Sequence, residues 1–178
     1  VLERHNLRNW FITHGTLLGA YRDSSFIPWD LDIDVAMPMN HMMVLRKVWR
    51  SEFPRDVFMQ TDGTEGFFHM WSASKQSSLR LKDRYSCAFG VPTVSFGYDW
   101  RLKKRYKRVE KLTHGGFGVD LIALSKVEKG RMYKIFHSYF NTSDLFPLST
   151  ICFGGVLVQA PRRVRKVLEI IYGADFAT

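Results

Sequence analysis

Two spacings of apolar residues alternate along the chain, and together they predict a mixed fold. Polar and apolar residues alternate strictly from Asp30 to Val35, which is typical of a strand with one buried face. Short apolar runs predict further strands at residues 9–13, 67–71, 79–81, 119–124 and 153–159. Helical spacing predicts helices over 40–50, 131–139 and 161–171, the last opened by Pro161 and followed by Gly173. This mixture predicts an α/β or α+β domain.

A glycine turn follows the first predicted strand. His14, Gly15 and Thr16 lead into an apolar stretch, so we expect Thr16 to cap a helix that begins at Leu17. Free backbone N–H groups at a helix start, together with the helix dipole, bind phosphate. Such a turn is usually no more than a cap. Its position ten to twenty residues before an acidic strand makes Gly15 and Thr16 candidate phosphate ligands.

Three carboxylates are the strongest candidate for chemistry. On a strand, Asp30, Asp32 and Asp34 share one face, with about 7 Å between successive positions. Their mutual repulsion is relieved by a divalent cation, and hard oxygen ligands suit Mg²⁺ or Mn²⁺. A solvent-facing acidic strand edge is the alternative.

A fourth acid stands alone in an apolar strand. Asp120 lies between Val119 and Leu121, and a buried lone carboxylate is costly unless it is paired or bound to a metal. If its strand lies beside the first acidic strand, Asp120 completes a site of three carboxylates. If it does not, Asp120 bonds to nearby backbone. The sequence leaves both possibilities open.

Composition narrows the protein class. The chain has 178 residues, of which 46% are hydrophobic and 15% aromatic, so it can fold around a core. No apolar run reaches the roughly 18 residues of a membrane span, and two cysteines exclude a cysteine-based zinc site. The net charge of +9 is concentrated in residues 101–111 and favours anionic partners. No recognised nucleic-acid-binding motif accompanies the charge, so we do not favour nucleic acid as a partner.

Two blocks of sequence resemble the LicD/fukutin family. Residues 13–22 contain Gly-Thr-Leu-Leu-Gly followed three residues later by Arg22, and residues 27–34 read Ile-Pro-Trp-Asp-Leu-Asp-Ile-Asp. Val119-Asp120-Leu121 and Phe146-Pro147 look like later parts of the family pattern. The resemblance implies a nucleotidyltransferase fold of the polymerase-β type, with a mixed sheet flanked by helices. It also implies one catalytic domain over residues 1–178, cut from a longer chain.

The resemblance assigns roles to the candidate residues. It implies that Asp32 and Asp34 are the principal metal ligands, Asp120 the third carboxylate and Asp30 an auxiliary acid. It places donor phosphates at Gly15 and Thr16. Three basic residues complete the expected site. Arg22 would neutralise a phosphate or brace Asp30, while Arg80 and Lys82 would bind the donor or lie on a solvated strand face.

A function follows from the same resemblance. It implies metal-dependent transfer of a phospho-group from a nucleotide diphosphate donor, with CDP-linked donors favoured, to a glycan hydroxyl on a glycoprotein or glycolipid. A nucleoside monophosphate leaves. Eukaryotic relatives act in the Golgi lumen, tethered by a segment outside this chain, and bacterial relatives are cytoplasmic. The alternatives are an RNA nucleotidyltransferase, a D-x-D glycosyltransferase and an inactive binding member, the last opposed by the presence of Asp32, Asp34 and Asp120.

Overall fold

The computed structural model describes residues 1–27, 30, 32–53, 57–61, 67–72, 118–127 and 130–176. Within these residues the chain forms nine strands and four helices. The strands are β1 (Phe11–Ile12), β2 (Asp32–Pro38), β3 (Val57–Thr61), β4 (Phe67–Ser72), β5 (Gly118–Val127), β6 (Met132–Ile135), β7 (Ser138–Asn141), β8 (Ser149–Phe153) and β9 (Val156–Ala160). The helices are α1 (His14–Asp23), α2 (Met39–Glu52), α3 (Thr142–Leu145) and α4 (Val164–Tyr172).

A mixed sheet organises the described residues. Its main path runs β1-β2-β5-β4-β3, and β6 continues from β5 to β7. Strands β2 and β5 are parallel, whereas β1 with β2, β4 with β5 and β3 with β4 are antiparallel. Strands β8 and β9 form a separate hairpin. The predicted α+β class, with a mixed sheet and flanking helices, is confirmed.

The central strands carry apolar residues on both faces. Val35 of β2 belongs to the buried cluster that includes α2, whereas Ala36 belongs to the cluster that includes α1 and α4. Strand β5 divides in the same way, with Leu121 in the first cluster and Ile122 in the second. Side chains alternate along a strand. The even-numbered acids of β2 and β5 therefore lie on the face that α1 and α4 cover.

Helix α1 begins earlier than the sequence predicted. Its first residue is His14 and its N-cap position is Thr13, which makes no side-chain capping bond. The prediction that Thr16 caps a helix starting at Leu17 is therefore wrong. Thr16 is buried inside the helix, and its hydroxyl oxygen accepts a hydrogen bond from the backbone N–H of Asp34 at 2.7 Å. A partner on the neighbouring strand replaces the local capping bond.

Two regions that the sequence predicted as single elements form hairpins in the structure. The helix predicted over 131–139 is wrong, because this region forms β6 and β7, and β6 pairs with the end of β5 through Ser125 and Lys134. Its tyrosine, isoleucine and phenylalanine residues favour strands, and the edge of β5 supplies a pairing partner. The single strand predicted over 153–159 is also wrong, because this region contains the end of β8, a turn and most of β9. Gly154 and Gly155, with φ of 58° and 84°, turn the chain between β8 and β9.

Most other predicted elements are confirmed. Helices over 40–50 and 161–171 correspond to α2 and α4, although α4 starts three residues after Pro161. Strands over 67–71 and 119–124 correspond to β4 and β5, and the strand over 9–13 shortens to β1. The strand predicted at 79–81 and the basic stretch 101–111 lie outside the described residues. In the part of the chain that the structure describes, no helix is long and apolar enough to span a membrane.

Candidate functional site

Three carboxylates converge where β2 begins. Asp32 and Asp34 lie on the strand, whereas Asp30 precedes it in a turn in which its N–H donates to the carbonyl of Ile27 at 2.9 Å. One carboxylate oxygen from each of these three acids lies within 4.8 Å of the other two. The backbone repeat of a strand is about 7 Å for two residues, so the flexible side chains of these acids bend toward one another.

The start of α1 holds Asp34 in place. The backbone N–H of Thr16 donates to Oδ2 of Asp34 at 3.4 Å, and the N–H of Thr13 donates to the carbonyl of Asp34 at 3.0 Å. The Thr16 hydroxyl completes this connection by accepting the N–H of Asp34. The helix N-terminus, which carries partial positive charge, is thus directed at a carboxylate of the cluster.

Gly15 leaves room for two of the carboxylates. A Cβ atom built at Gly15 would overlap the carboxylate of Asp30 and lie 3.4 Å from Oδ2 of Asp34. Any other residue here would displace Asp30. The glycine is therefore required by the close approach of these carboxylates to the helix backbone.

Asp120 reaches the same region from the neighbouring strand. Parallel pairing of β2 and β5 places Asp120 directly beside Asp34. Its charge also contributes to raising the pKa values of Asp32 and Asp34. The adjacency that the sequence could not establish is therefore present. Asp120 is nevertheless not one of the three acids whose oxygens lie within 4.8 Å of each other.

Burial and the charges of neighbouring acids raise the pKa values of two carboxylates in the cluster. Burial is the main reason that the pKa of Asp32 rises to about 8, followed by a hydrogen bond with Asp30 and by the charges of Asp34, Asp30 and Asp120. Burial also raises the pKa of Asp34 to about 7, although the N–H groups of Thr16 and Gly15 act in the opposite direction. A divalent cation would remove the repulsion that these protons relieve. The oxygen-only ligands suit a hard ion, so this cluster can bind a metal.

A tyrosine that the sequence did not single out lies near the acids. Tyr172 ends α4 and is 44% exposed. Burial of part of the side chain, then the charges of Asp34, Asp30 and Asp32, raise the pKa of Tyr172 to about 12. Its hydroxyl therefore stays protonated at neutral pH and can donate a hydrogen bond. The helix predicted from the sequence ends at residue 171, and the sequence assigned Tyr172 no role in the site.

Two strained aromatic residues lie beside the turn that contains Gly15. His14 and Phe136 meet edge to face, with ring centroids 5.2 Å apart, and both have positive φ, at 41° and 49°. Burial lowers the pKa of His14, so its ring is neutral at pH 7. Phe136 is 42% exposed and turns the chain between β6 and β7. Backbone strain of this kind is concentrated at functional sites. The sequence missed Phe136 because its segment read as helical.

The family follows from a comparison with known domains. The family model described as LicD/FKTN/FKRP, nucleotidyltransferase domain, matches residues 8–163. The chain belongs to the LicD family. Membership assigns it in general terms to the transferases. No curated protein matches this chain significantly.

Of the three basic residues that the LicD resemblance assigned to the site, the structure describes only Arg22. Arg22 lies in the last turn of α1, where Nη2 is 3.2 Å from Oδ2 of Asp23. Seven residues of helix separate Arg22 from Gly15, or about 10 Å along the axis. Arg80 and Lys82 lie outside the described residues. Their roles, like those of the acids, stay predictions.

Proposed function

We propose that this LicD-family protein transfers a phospho-group from a nucleotide diphosphate donor to a glycan hydroxyl and releases a nucleoside monophosphate. CDP-linked donors are our first choice. One observation carries the proposal: the carboxylates of Asp30, Asp32 and Asp34 meet in front of a helix N-terminus, with Asp120 in register on the adjacent strand. This arrangement offers a cation site beside backbone amides that attract phosphate.

The residues present fit Mg²⁺ or Mn²⁺. All the candidate ligands are carboxylate oxygens, which both ions prefer. Burial and then the charges of neighbouring acids raise the pKa values of Asp32 and Asp34, and a bound cation would offset both. We propose that Asp32 and Asp34 are the main ligands. Asp30, which shares the cluster with them, and Asp120 on the adjacent strand would complete the set. When bound, the metal would lower the pKa of the attacking hydroxyl and stabilise charge on the phosphate oxygens.

The proposed reaction is a displacement at phosphorus. The acceptor hydroxyl oxygen forms a bond to the phosphorus that carries the transferred group. The bond from that phosphorus to the oxygen of the nucleoside monophosphate breaks, and that oxygen keeps the electron pair. The hydroxyl proton passes to a carboxylate, and Asp120 is our candidate for this base. The product is a phosphodiester.

The start of α1 would position the site in this scheme. Thr16 fixes the backbone of Asp34 through its hydroxyl, and Gly15 lets the helix backbone approach the carboxylates. Tyr172, which keeps its proton at neutral pH, would donate a hydrogen bond to a substrate oxygen rather than act as a base.

The first test is thermal unfolding of the protein with CDP, UDP, GDP and ADP, each with and without Mn²⁺. A ligand at 100 times its Kd stabilises a protein by about 2.7 kcal/mol, which corresponds to a rise in Tm of about 5–10 °C for a domain of this size. We expect such a rise with CDP and Mn²⁺ together. Asp34→Asn should abolish it. Asp23→Asn, which removes an exposed acid from the other end of α1, is the matched control.

The same experiment separates the alternatives. A rise that requires both metal and one nucleotide, and that is lost in Asp34→Asn, supports the proposed donor site and identifies the base. A rise that does not depend on metal, or that persists in Asp34→Asn, contradicts it. If no nucleotide shifts Tm, the inactive binding member becomes the better description.

A further inference from the structure

An open cleft lies at the opposite end of the β2–β5 pair from the acids. Its volume is about 530 Å³, and the residues where β2 passes into α2 form one wall together with the last part of β5. Pro38 in this wall is four residues beyond Asp34 on β2, a distance of about 13 Å along the strand. Volumes of this size are typical of small-molecule sites. Because of its distance from Asp34, the cleft is separate from the candidate active site.

The lining of the cleft is rich in hydrogen-bond donors. Among the lining residues that the structure describes, Lys126 is the one charged side chain and is exposed, and none is a carboxylate. Asn9, Asn40 and Ser125 add two amides and a hydroxyl. Nδ1 of His41 is buried and has no hydrogen-bond partner among the residues that the structure describes.

Two aromatic rings form the apolar part of the lining. Tyr133 and Phe146 contact each other with centroids 5.2 Å apart, and both face the cleft. Each is partly accessible. A ring-shaped ligand with an apolar face can pack on such a surface while its polar edge bonds to the amides.

We infer that this cleft binds an anionic, ring-sized, polyhydroxylated small molecule. Its phosphate or carboxylate lies at Lys126, its ring lies against Tyr133 and Phe146, and its hydroxyls bond to Asn9, Asn40 and Ser125. The charge of Lys126, with no acid among the lining residues that the structure describes, selects an anion, and the aromatic pair selects a body larger than a bare ion. This site does not depend on the transferase proposal.

Calorimetric titration in EDTA tests this inference with four probes: glucose 6-phosphate, glucuronate, glucose and inorganic phosphate. Without a divalent cation the carboxylate cluster repels anions, so binding there does not interfere. We expect glucose 6-phosphate or glucuronate to bind more tightly than glucose and inorganic phosphate, and the stronger of the two identifies the anionic group. Amide chemical shifts of residues 39–41 and 124–126 should move on binding.

Variants locate the site. Lys126→Met should weaken binding by about tenfold or more, since it removes a charged hydrogen bond, and Lys126→Arg should restore most of it. Lys47→Met, at an exposed position of α2 outside the cleft, is the matched control and should bind as the unmodified protein does. Asp34→Asn should also bind normally, whether or not the transferase proposal holds. The inference is overturned if no anion binds, if Lys126→Met binds normally, or if glucose binds as tightly as its phosphate.

Discussion

The two ends of the parallel pair β2 and β5 offer opposite chemistry. At the beginning of the pair, Asp32 and Asp34 on one strand face Asp120 on the other. At its end, where Pro38 pairs with Leu124, Lys126 is the one charged side chain among the described residues that line the cleft. The two ends are about 20 Å apart along β2. One end is suited to a cation and the other to an anion, on the same two strands.

The two ends also differ in how the chain builds them. The acidic end comes mainly from residues 30–34, which are neighbours in sequence, and from the helix start that contacts them. The other end gathers residues from five separate stretches of chain, from Asn9 to Phe146. A local motif therefore specifies the first site, whereas tertiary structure alone creates the second.

The largest effect we expect comes from removing charge at the acidic end. Asp32→Asn and Asp34→Asn should each lower turnover by about 10³-fold or more, because metal stabilisation of a transition state contributes several kcal/mol and each tenfold in rate corresponds to about 1.4 kcal/mol. Release of nucleoside monophosphate is the measurement. Asp23→Asn should be nearly silent. Turnover retained in both cluster variants would refute the assignment of these acids.

The next effect concerns the space that Gly15 leaves. Gly15→Ala should weaken Mn²⁺ binding by about 10–100-fold, the usual cost of disturbing the groups that support metal ligands, because the added Cβ would overlap the carboxylate of Asp30. Gly19→Ala is an informative control. Its Cβ would lie 2.5 Å from the carbonyl oxygen of Ser25, so it should lower Tm without changing Mn²⁺ affinity in the folded protein. Equal Mn²⁺ affinity in Gly15→Ala and the unmodified protein would contradict our account of this glycine.

The same contrast explains how far the sequence predicted the site. Alternation from Asp30 to Val35 indicated a strand and a shared acidic face, and both Asp32 and Asp34 lie on β2. The prediction worked because strand periodicity is a local property. The prediction was wrong for Asp30, which lies in a turn before β2 and not on the strand. No local pattern shows where a strand begins to within two residues.

The sequence could not predict which distant segments of the chain lie next to one another. The register that places Asp120 beside Asp34 joins segments more than 80 residues apart. Tyr172 reaches the acids only because α4 packs on the same face as α1. Phe136 was hidden by a stretch whose apolar spacing fits a helix as well as a hairpin, and the free edge of β5 decided in favour of the hairpin.

A smaller effect would test the connection between α1 and β2. Thr16→Val should destabilise the protein by about 1–3 kcal/mol, because it leaves the N–H of Asp34 without its acceptor. For a domain of this size that corresponds to a fall in Tm of about 2–12 °C. Thr150→Val, at an exposed position of β8, should change stability little. If both variants melt at the same temperature, the bond from Asp34 to Thr16 does not stabilise the fold.

The last prediction is a pH dependence that arises at the acidic end. The pKa values of Asp32 and Asp34 are raised to about 8 and about 7 in the folded protein, whereas an unfolded aspartate titrates near 4. The folded state therefore binds more protons, so the contribution of these groups to stability is complete below about pH 4 and is lost as the pH rises through about 8.

In EDTA, the stability of Asp32→Asn should fall less with rising pH than that of the unmodified protein, so the variant becomes relatively more stable. Mn²⁺ should reverse the order, since the cation replaces the protons on the unmodified cluster. The measurement is the free energy of unfolding by denaturant at pH 5, 6.5 and 8, once in EDTA and once with Mn²⁺. Parallel stability curves for the two proteins in EDTA would mean that burial and neighbouring charges do not raise the pKa of Asp32.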